Sequence, residues 1–367
     1  MRLMKEGYGG RRQRMAGGKG TTSRRRTKRG KKRGGLGRLV VWLLFLALLA
    51  GAGAAAYAWF VPYGPAQETF VEIAPHSSAL EIGGQLEQAG VIRSQYVFDA
   101  LRWLKPGRLV AGTYRFAGAA RLSTVYRRIQ HGDVYTVSVT IPEGANLFDI
   151  AARLEAARLG PAADFLAVAK SETGLIKDLA PQATSLEGYL FPDTYHFGPH
   201  QKPAQIAAMM VKRFRAAAAQ LGLHEDVHQV VTAASLIERE TAVDGERPLV
   251  ASVFENRLAK KIPLMTDPAV IYGLQLEGMW RGTIYASDLK RDTPYNTYLH
   301  SGLPPGPVAN PGMKSLRAAM EPAQTNYLYF VAAGANAQGK SLFSATLKEH
   351  NRNVAGYRSA MKRAGGR

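Results

Sequence analysis

Cysteine is absent from this chain of 367 residues. That excludes disulfides, thiolate metal sites and cysteine nucleophiles, so domains carried outside the cytoplasm must be held by apolar packing. Histidine is scarce, at eight residues. It shows no clustering that suits a metal, and neither a metal nor a cofactor is expected. Acid is nearly missing from the start of the chain. Residues 1–38 set 15 Lys or Arg against the single acid Glu6, which gives this stretch +14 of the formal +20 and leaves about +6 for all that follows. The excess charge therefore belongs to a tail. It lacks the periodic apolar residues that would offset the entropy of ordering, and disorder is the expectation. A polybasic tail beside a membrane span attracts anionic lipid; DNA binding is the weaker reading, and no nucleic-acid partner is expected.

Charge is then missing altogether from Leu39 to Val61, a run of 23 residues. As a helix it is about 35 Å long, enough to cross a hydrocarbon core of roughly 30 Å. Arg38 and Lys31-Lys32-Arg33 flank one end, and Tyr57, Trp59 and Tyr63 stand at the other as an interfacial belt. The positive-inside rule keeps the basic end in the cytoplasm and the rest outside. A cleaved signal and a twin-arginine signal on Ser23-Arg24-Arg25-Arg26 compete with this reading. A cleavable apolar region is only about 7–15 residues long, which favours an uncleaved anchor in the cytoplasmic membrane.

Beyond a short linker at 62–67, the chain repeats itself at an offset of 68 positions. Ile73 falls on Ile141, Leu80 on Phe148, Glu81 on Asp149, Ile82 on Ile150, Leu86 on Leu154 and Glu87 on Glu155. Each copy begins with an alternating stretch, passes a Pro-containing turn (Pro142-Glu143-Gly144 in the second) and enters an amphipathic helix, with a second short helix after it. A returning strand is expected at 110–116. Strand, helix, helix, closed in the first copy by that returning strand, resembles a LysM domain, a module that commonly binds cell-wall glycan; a spacer without glycan contacts fits the same outline. From about 161 onward, Ala-rich helices near 204–221 and 228–241, a helix at 247–258 and a strand at 327–332 read as one α+β domain. The expected organisation is a tail (1–38), a transmembrane helix (39–61), a LysM-like domain (67–160) and a mixed α+β catalytic domain (161–360).

Several residues suit chemistry. In the helix containing Ala233 to Thr241, Val230, Ala234, Ile237 and Thr241 form an apolar stripe, with Val231, Ser235 and Glu238 beside it. A carboxyl against apolar walls is suited to protonate a leaving oxygen, although a surface glutamate paired with arginine along the helix is the simpler reading of spacing alone. Glu240 points about 200° away from Glu238 and is assigned to structure. In Thr266-Asp267-Pro268, Asp267 reads as an N-cap with Pro268 at the first helical position. Tyr295, Asn296 and Tyr298 precede the stiff loop Gly302 to Pro307, and aromatic faces beside an amide suit a sugar as well as they suit loop packing. His350 near the C-terminus is read as structural.

Together the strings ASLIERET, ERPLVASVFENRL, LMTDPAVIYGL, TPYNTYLHSGLPPGPVANPG, LRAAMEPAQTNYLYFVA and FSATLKEHN resemble the MltG (YceG-like) family of endolytic murein transglycosylases. The resemblance runs from the anchor to Asn351. It implies a membrane anchor, a LysM-like domain and a lyase that cuts peptidoglycan strands, with peptidoglycan synthases as partners. It makes Glu238 the catalytic acid and base, places Asp267 near the cleft, and puts Glu187 of the family-like string Leu186 to Tyr195 at its lining. One acid suffices for such an enzyme, because the sugar's own 6-hydroxyl is the nucleophile and a 1,6-anhydro ring the product. Ser341 stands where many members have histidine. Two other classes stay open: a muramidase-type hydrolase, which needs a second carboxylate such as Asp267, and a non-catalytic wall-binding scaffold.

Overall fold

The computed structural model describes residues 35–334 and 339–365. The tail expected to be disordered lies, over 1–34, outside the described residues. Two compact units are present, residues 1–61 and 62–367. In the first, helix α1 (Gly35–Phe60) is 26 residues long. It is apolar on every side, with Trp42, Leu44 and Leu48 all exposed. Its length and composition are those of a membrane-crossing helix.

The second unit begins more abruptly than a free linker would. Tyr63 already exchanges both backbone hydrogen bonds with Ala120, each at 2.9 Å. Gly64 lies so close to the Gly118 carbonyl that a Cβ would come within 2.1 Å of its oxygen. The segment expected as a linker is thus docked from Tyr63 on.

The 68-residue repeat is visible as structure. Strand β1 (Thr69–Ile73), helices α2 (Ala79–Gln88) and α3 (Gln95–Leu104), and strand β2 (Gly112–Phe116) form the first copy, with β1 antiparallel to β2. After helix α4 (Leu122–His131), strand β3 (Val137–Thr140), helices α5 (Leu147–Ala156) and α6 (Ala162–Ser171), and strand β4 (Thr194–Phe197) form the second. Strands β3 and β4 are again antiparallel. Even the helix starts repeat: Ser78 with Glu81 closes a capping box on α2, and Asn146 with Asp149 closes one on α5. Because β3 pairs with β4, the second copy continues to Phe197, and a boundary at 160 runs through it.

The remaining elements are α7 (Pro203–Leu221), α8 (Val227–Glu240), α9 (Arg247–Ala259), α10 (Asp267–Leu276), α11 (Met313–Met320), β5 (Tyr329–Ala332), β6 (Ser341–Ser344) and α12 (Leu347–Gly365). Strands β5 and β6 are antiparallel, so the fold is mixed α and β throughout. Helix α8 sits between two cores. Val231 and Ala234 pack into the core of the second repeat and α7, while Leu236 and Ile237 pack into a core with Val250, Phe254 and Tyr272. Enclosure on two sides leaves Arg239 exposed near the C-terminal end, while the two glutamates beside it are partly covered by protein.

Candidate active site

Helix α8 ends where Thr241 turns extended, at φ −139° and ψ 133°. This end carries Glu238 and Glu240 into different surroundings. Glu240 opens into a cavity of about 310 Å³ whose other polar lining residues are Arg257, Thr266, Asp267, Tyr298, Tyr329 and His350. Phe254, Leu264 and Phe330 supply apolar wall. Burial first, then the neighbouring Asp267 charge, pushes the Glu240 carboxyl up to about 7, against a smaller opposing effect of Arg239.

Asp267 faces this cavity because it is the first residue of α10. The N-cap is Thr266, one position earlier than the sequence suggests. The Tyr298 hydroxyl donates to Asp267 Oδ1 at 2.7 Å. Burial and that bond together raise the Tyr298 phenol above its ordinary value. Thr297 holds the segment in register, with its carbonyl accepting from Met265 N at 3.0 Å and its hydroxyl from Thr266 N at 2.9 Å. Met265 takes a left-handed backbone, φ 54°, an uncommon conformation for a residue with a Cβ.

On the facing side, Arg257 spends its donors on the carbonyls of Leu328, Pro263 and Leu264, at 2.8, 3.2 and 2.8 Å. Burial lowers its pKa. The His350 ring stacks on Tyr329 at 5.1 Å. Its Nδ1 is buried without a partner among the described residues. Burial, then Arg257, holds its pKa below the ordinary histidine value. The cavity thus combines a carboxyl poised near neutrality, a second carboxylate, a phenol, an imidazole and aromatic wall, which is the equipment for proton transfer on a sugar.

Glu238 lies in a separate charged centre. Its side chain is only 5% exposed. Oε1 accepts from Arg247 Nη2 at 3.0 Å, and Oε2 accepts from the Gly312 amide at 2.9 Å, at the start of α11. Arg247 also bonds Ser315 Oγ at 3.0 Å and pairs with Asp244, which in turn pairs with Lys314. Glu143, from the turn after β3, joins this centre. Burial and then the Glu238 charge raise its pKa, against Arg247 and Lys314. Its carboxyl sits against Gly312, where any Cβ would collide with it.

Of the sequence-predicted lining residues, Asp267 and Tyr298 meet at the cavity and three do not. Glu187 is 1% exposed. It accepts from Leu147 N and Asn310 Nδ2, both at 2.9 Å, and burial pushes its carboxyl up to about 8. Glu187 therefore joins α5 to the loop before α11 and does not line a cleft. Asn296 is buried and clamps its own loop, donating to the carbonyls of Leu289 and Arg291 at 3.1 and 2.8 Å. Tyr295 packs edge-on against Tyr272 at 5.2 Å. Spacing missed Glu240 and His350 at the cavity and Glu143 beside Glu238. The signal for His350 was present in the string FSATLKEHN, which brings α12 against β5.

Comparison with known proteins agrees with this architecture. The YceG-like family profile matches residues 71–356. An endolytic murein transglycosylase of Bacillus subtilis (strain 168) is 35% identical over 303 residues, covering 77% of this chain and 82% of that protein. One from Streptococcus pneumoniae (strain ATCC BAA-255 / R6) is 28% identical over 359 residues, and the match covers 86% of this chain and 64% of the longer relative. A crystal structure of a yceG-like protein from Listeria monocytogenes superposes with a TM-score of 0.51 at 34% identity, covering 78% of this chain and 99% of that one. The chain belongs to the YceG-like family.

Proposed function

We propose that this protein is an endolytic peptidoglycan transglycosylase, with the cavity at the end of α8 as its active site. It acts on the bond between N-acetylmuramic acid and N-acetylglucosamine inside nascent strands. The observation that carries the site assignment is the pairing of Glu240, raised to about 7, with Asp267 in one aromatic-walled cavity. Protonated Glu240 gives its proton to the glycosidic oxygen, the bond to C1 of the muramyl sugar breaks, and the departing sugar leaves as an alcohol. The muramyl 6-hydroxyl then bonds to C1 and passes its proton to the Glu240 carboxylate. The acid is restored, no water is consumed and a 1,6-anhydro end remains. Asp267, held by Tyr298, supplies negative charge beside the developing positive charge at C1.

A second reading keeps Glu238 as the acid and base, as the family resemblance implies. It is favoured by Glu143, whose raised pKa makes the two carboxyls a like-charged pair of the kind that separates acid from base. Mass spectrometry of purified strands digested by the full chain separates the readings. Under the first, Glu240→Gln abolishes anhydro ends and Glu238→Gln, where folded, still makes them; the reverse result transfers the role to Glu238. Reducing ends would mean a muramidase, and uncut strands with intact binding a scaffold.

In this reading, α1 anchors the enzyme in the cytoplasmic membrane with the second unit outside. The two β-α-α-β copies serve as LysM-like glycan contacts, and peptidoglycan synthases deliver the strands. Cleavage close to the membrane limits strand length.

A further inference from the structure

At the C-terminal end of α3, apolar side chains stand in solvent at a place where the backbone is held rigidly. Trp103 is 83% exposed and Leu104 70%. The helix itself is fixed by Phe98 and Leu101, both fully buried, with Phe98 edge-on to Tyr126 at 5.4 Å. The Tyr126 hydroxyl donates to the Lys105 carbonyl at 2.7 Å, and Gly107 packs directly on the Gln130 side chain. The tip therefore cannot fold back to cover its tryptophan. Over 102–108 it carries Arg102, Lys105 and Arg108 and no acid.

The chain leading to this copy of the repeat is short. Only Val61 and Pro62 separate the end of α1 at Phe60 from Tyr63, which is already bonded to Ala120. Three Cα steps span at most roughly 11 Å. Arg93, two residues before α3, sits over the Tyr63 ring at 4.5 Å, and ten helical residues reach about 15 Å further. By contour length alone, the connection is short enough to let the tip of α3 reach the surface of a bilayer that α1 crosses.

We propose that Trp103 and Leu104 insert into the headgroup region of an anionic lipid surface, with Arg102, Lys105 and Arg108 on the lipid phosphates. An amphipathic aromatic ring at headgroup depth with a basic rim is the chemistry of interfacial binding. This second attachment, beyond the spanning helix, orients the first copy of the repeat on the membrane and limits how far the enzyme can swing.

The inference rests on the anchor reading, so its test measures both separately. The chain has no cysteine, so Leu104→Cys creates its sole thiol and leaves Trp103 in place. The full chain is labelled there with an environment-sensitive fluorophore and reconstituted in vesicles of phosphatidylglycerol and phosphatidylcholine. Retention after alkaline extraction reports the anchor, and loss of the chain on extraction sinks the anchor reading itself. With the chain retained, the expected result is blue-shifted emission, quenched by spin-labelled lipid and shielded from iodide, and a smaller shift in phosphatidylcholine alone. Adding Trp103→Ala should abolish the shift with the circular dichroism spectrum unchanged. A label at the exposed Glu172→Cys position serves as the aqueous reference. If the 104 label is quenched by iodide as readily as the 172 label, the proposal is wrong. It is equally overturned if the shift arises only on adding glycan strands, or if it scales with protein concentration in detergent, which would assign the tip to sugar or to a second copy.

Discussion

Tyr298 donates its hydroxyl to Asp267 at 2.7 Å, joining the loop before the Gly302 to Pro307 segment to the first turn of α10 at the cavity that Glu240 enters. Under the proposed function, the bond fixes the second carboxylate where it acts on both Glu240 and the substrate. Removing it with Tyr298→Phe keeps the ring and leaves Asp267 without this donor. A hydrogen bond to a charged group contributes about 1.5–3 kcal/mol, so kcat should fall by roughly ten- to a hundredfold. KM should change much less, because the aromatic wall is retained. A loss confined to KM would make Tyr298 a sugar platform only.

The pH dependence of cleavage follows from the same cavity. Glu240 works as a general acid only while protonated, so kcat/KM should decline as pH rises through about 7. Groups near it are Asp267, Tyr298, Arg257, Arg239 and His350. The histidine is held below its ordinary pKa by burial and Arg257 and is neutral on this limb. The descending limb should therefore persist in His350→Gln. Glu240→Gln should cost about 10²–10⁴-fold below about pH 7, the usual worth of a positioned acid, and progressively less above it, where the wild-type acid is itself deprotonated. Persistence of both the limb and the rate in Glu240→Gln would return the role to Glu238.

Much of this architecture is legible in the residues, and the failures share one cause. The 68-residue repeat reappears as strands and helices because each copy carries its own alternation, turn and cap, down to Ser78 with Glu81 and Asn146 with Asp149. Periodicity also finds α7, α8 and α9 within a residue or so. What it cannot convey is that α8 is enclosed by two cores. Pointing about 200° from Glu238 separates the two carboxyls, but it does not reveal that Glu240 turns into a cavity of its own. Glu187, which the family resemblance puts at the cleft lining, is buried between segments far apart in sequence. Its partners, Leu147 N and Asn310, lie 40 and 123 positions away. His350 reaches the cavity only through the packing of α12 on β5, another contact between distant segments.

The ion pair of Glu238 with Arg247 gives a prediction about stability. Both side chains are almost fully buried, and removing one partner leaves an uncompensated charge at a cost of about 3–5 kcal/mol. Arg247→Met alone should lower the melting temperature strongly, and Glu238→Gln alone somewhat less. The double variant should be more stable than the sum of the two losses predicts, with a coupling of about 0.5–3 kcal/mol. Strand cleavage per folded molecule should survive in the double variant if the centre is structural. Additive losses would mean that the two side chains do not interact in solution.

Glu187 supplies a pH test of the core. Its carboxyl is raised from an ordinary 4.5 to about 8 by burial, so the folded chain holds a proton that the unfolded chain has already released above about pH 4.5. This group's contribution is fully present below that pH and declines as pH rises toward about 8, after which it is flat. The melting temperature should accordingly fall between pH 5 and 8. Glu187→Gln cannot ionise, and it keeps one acceptor for the Leu147 amide or for Asn310. It should lower stability at pH 5, where it loses an acceptor, yet show a shallower decline toward pH 8. An equal slope in the two proteins would show that Glu187 is ionised in the fold, with the Leu147 amide, Asn310 and Tyr272 together offsetting its burial.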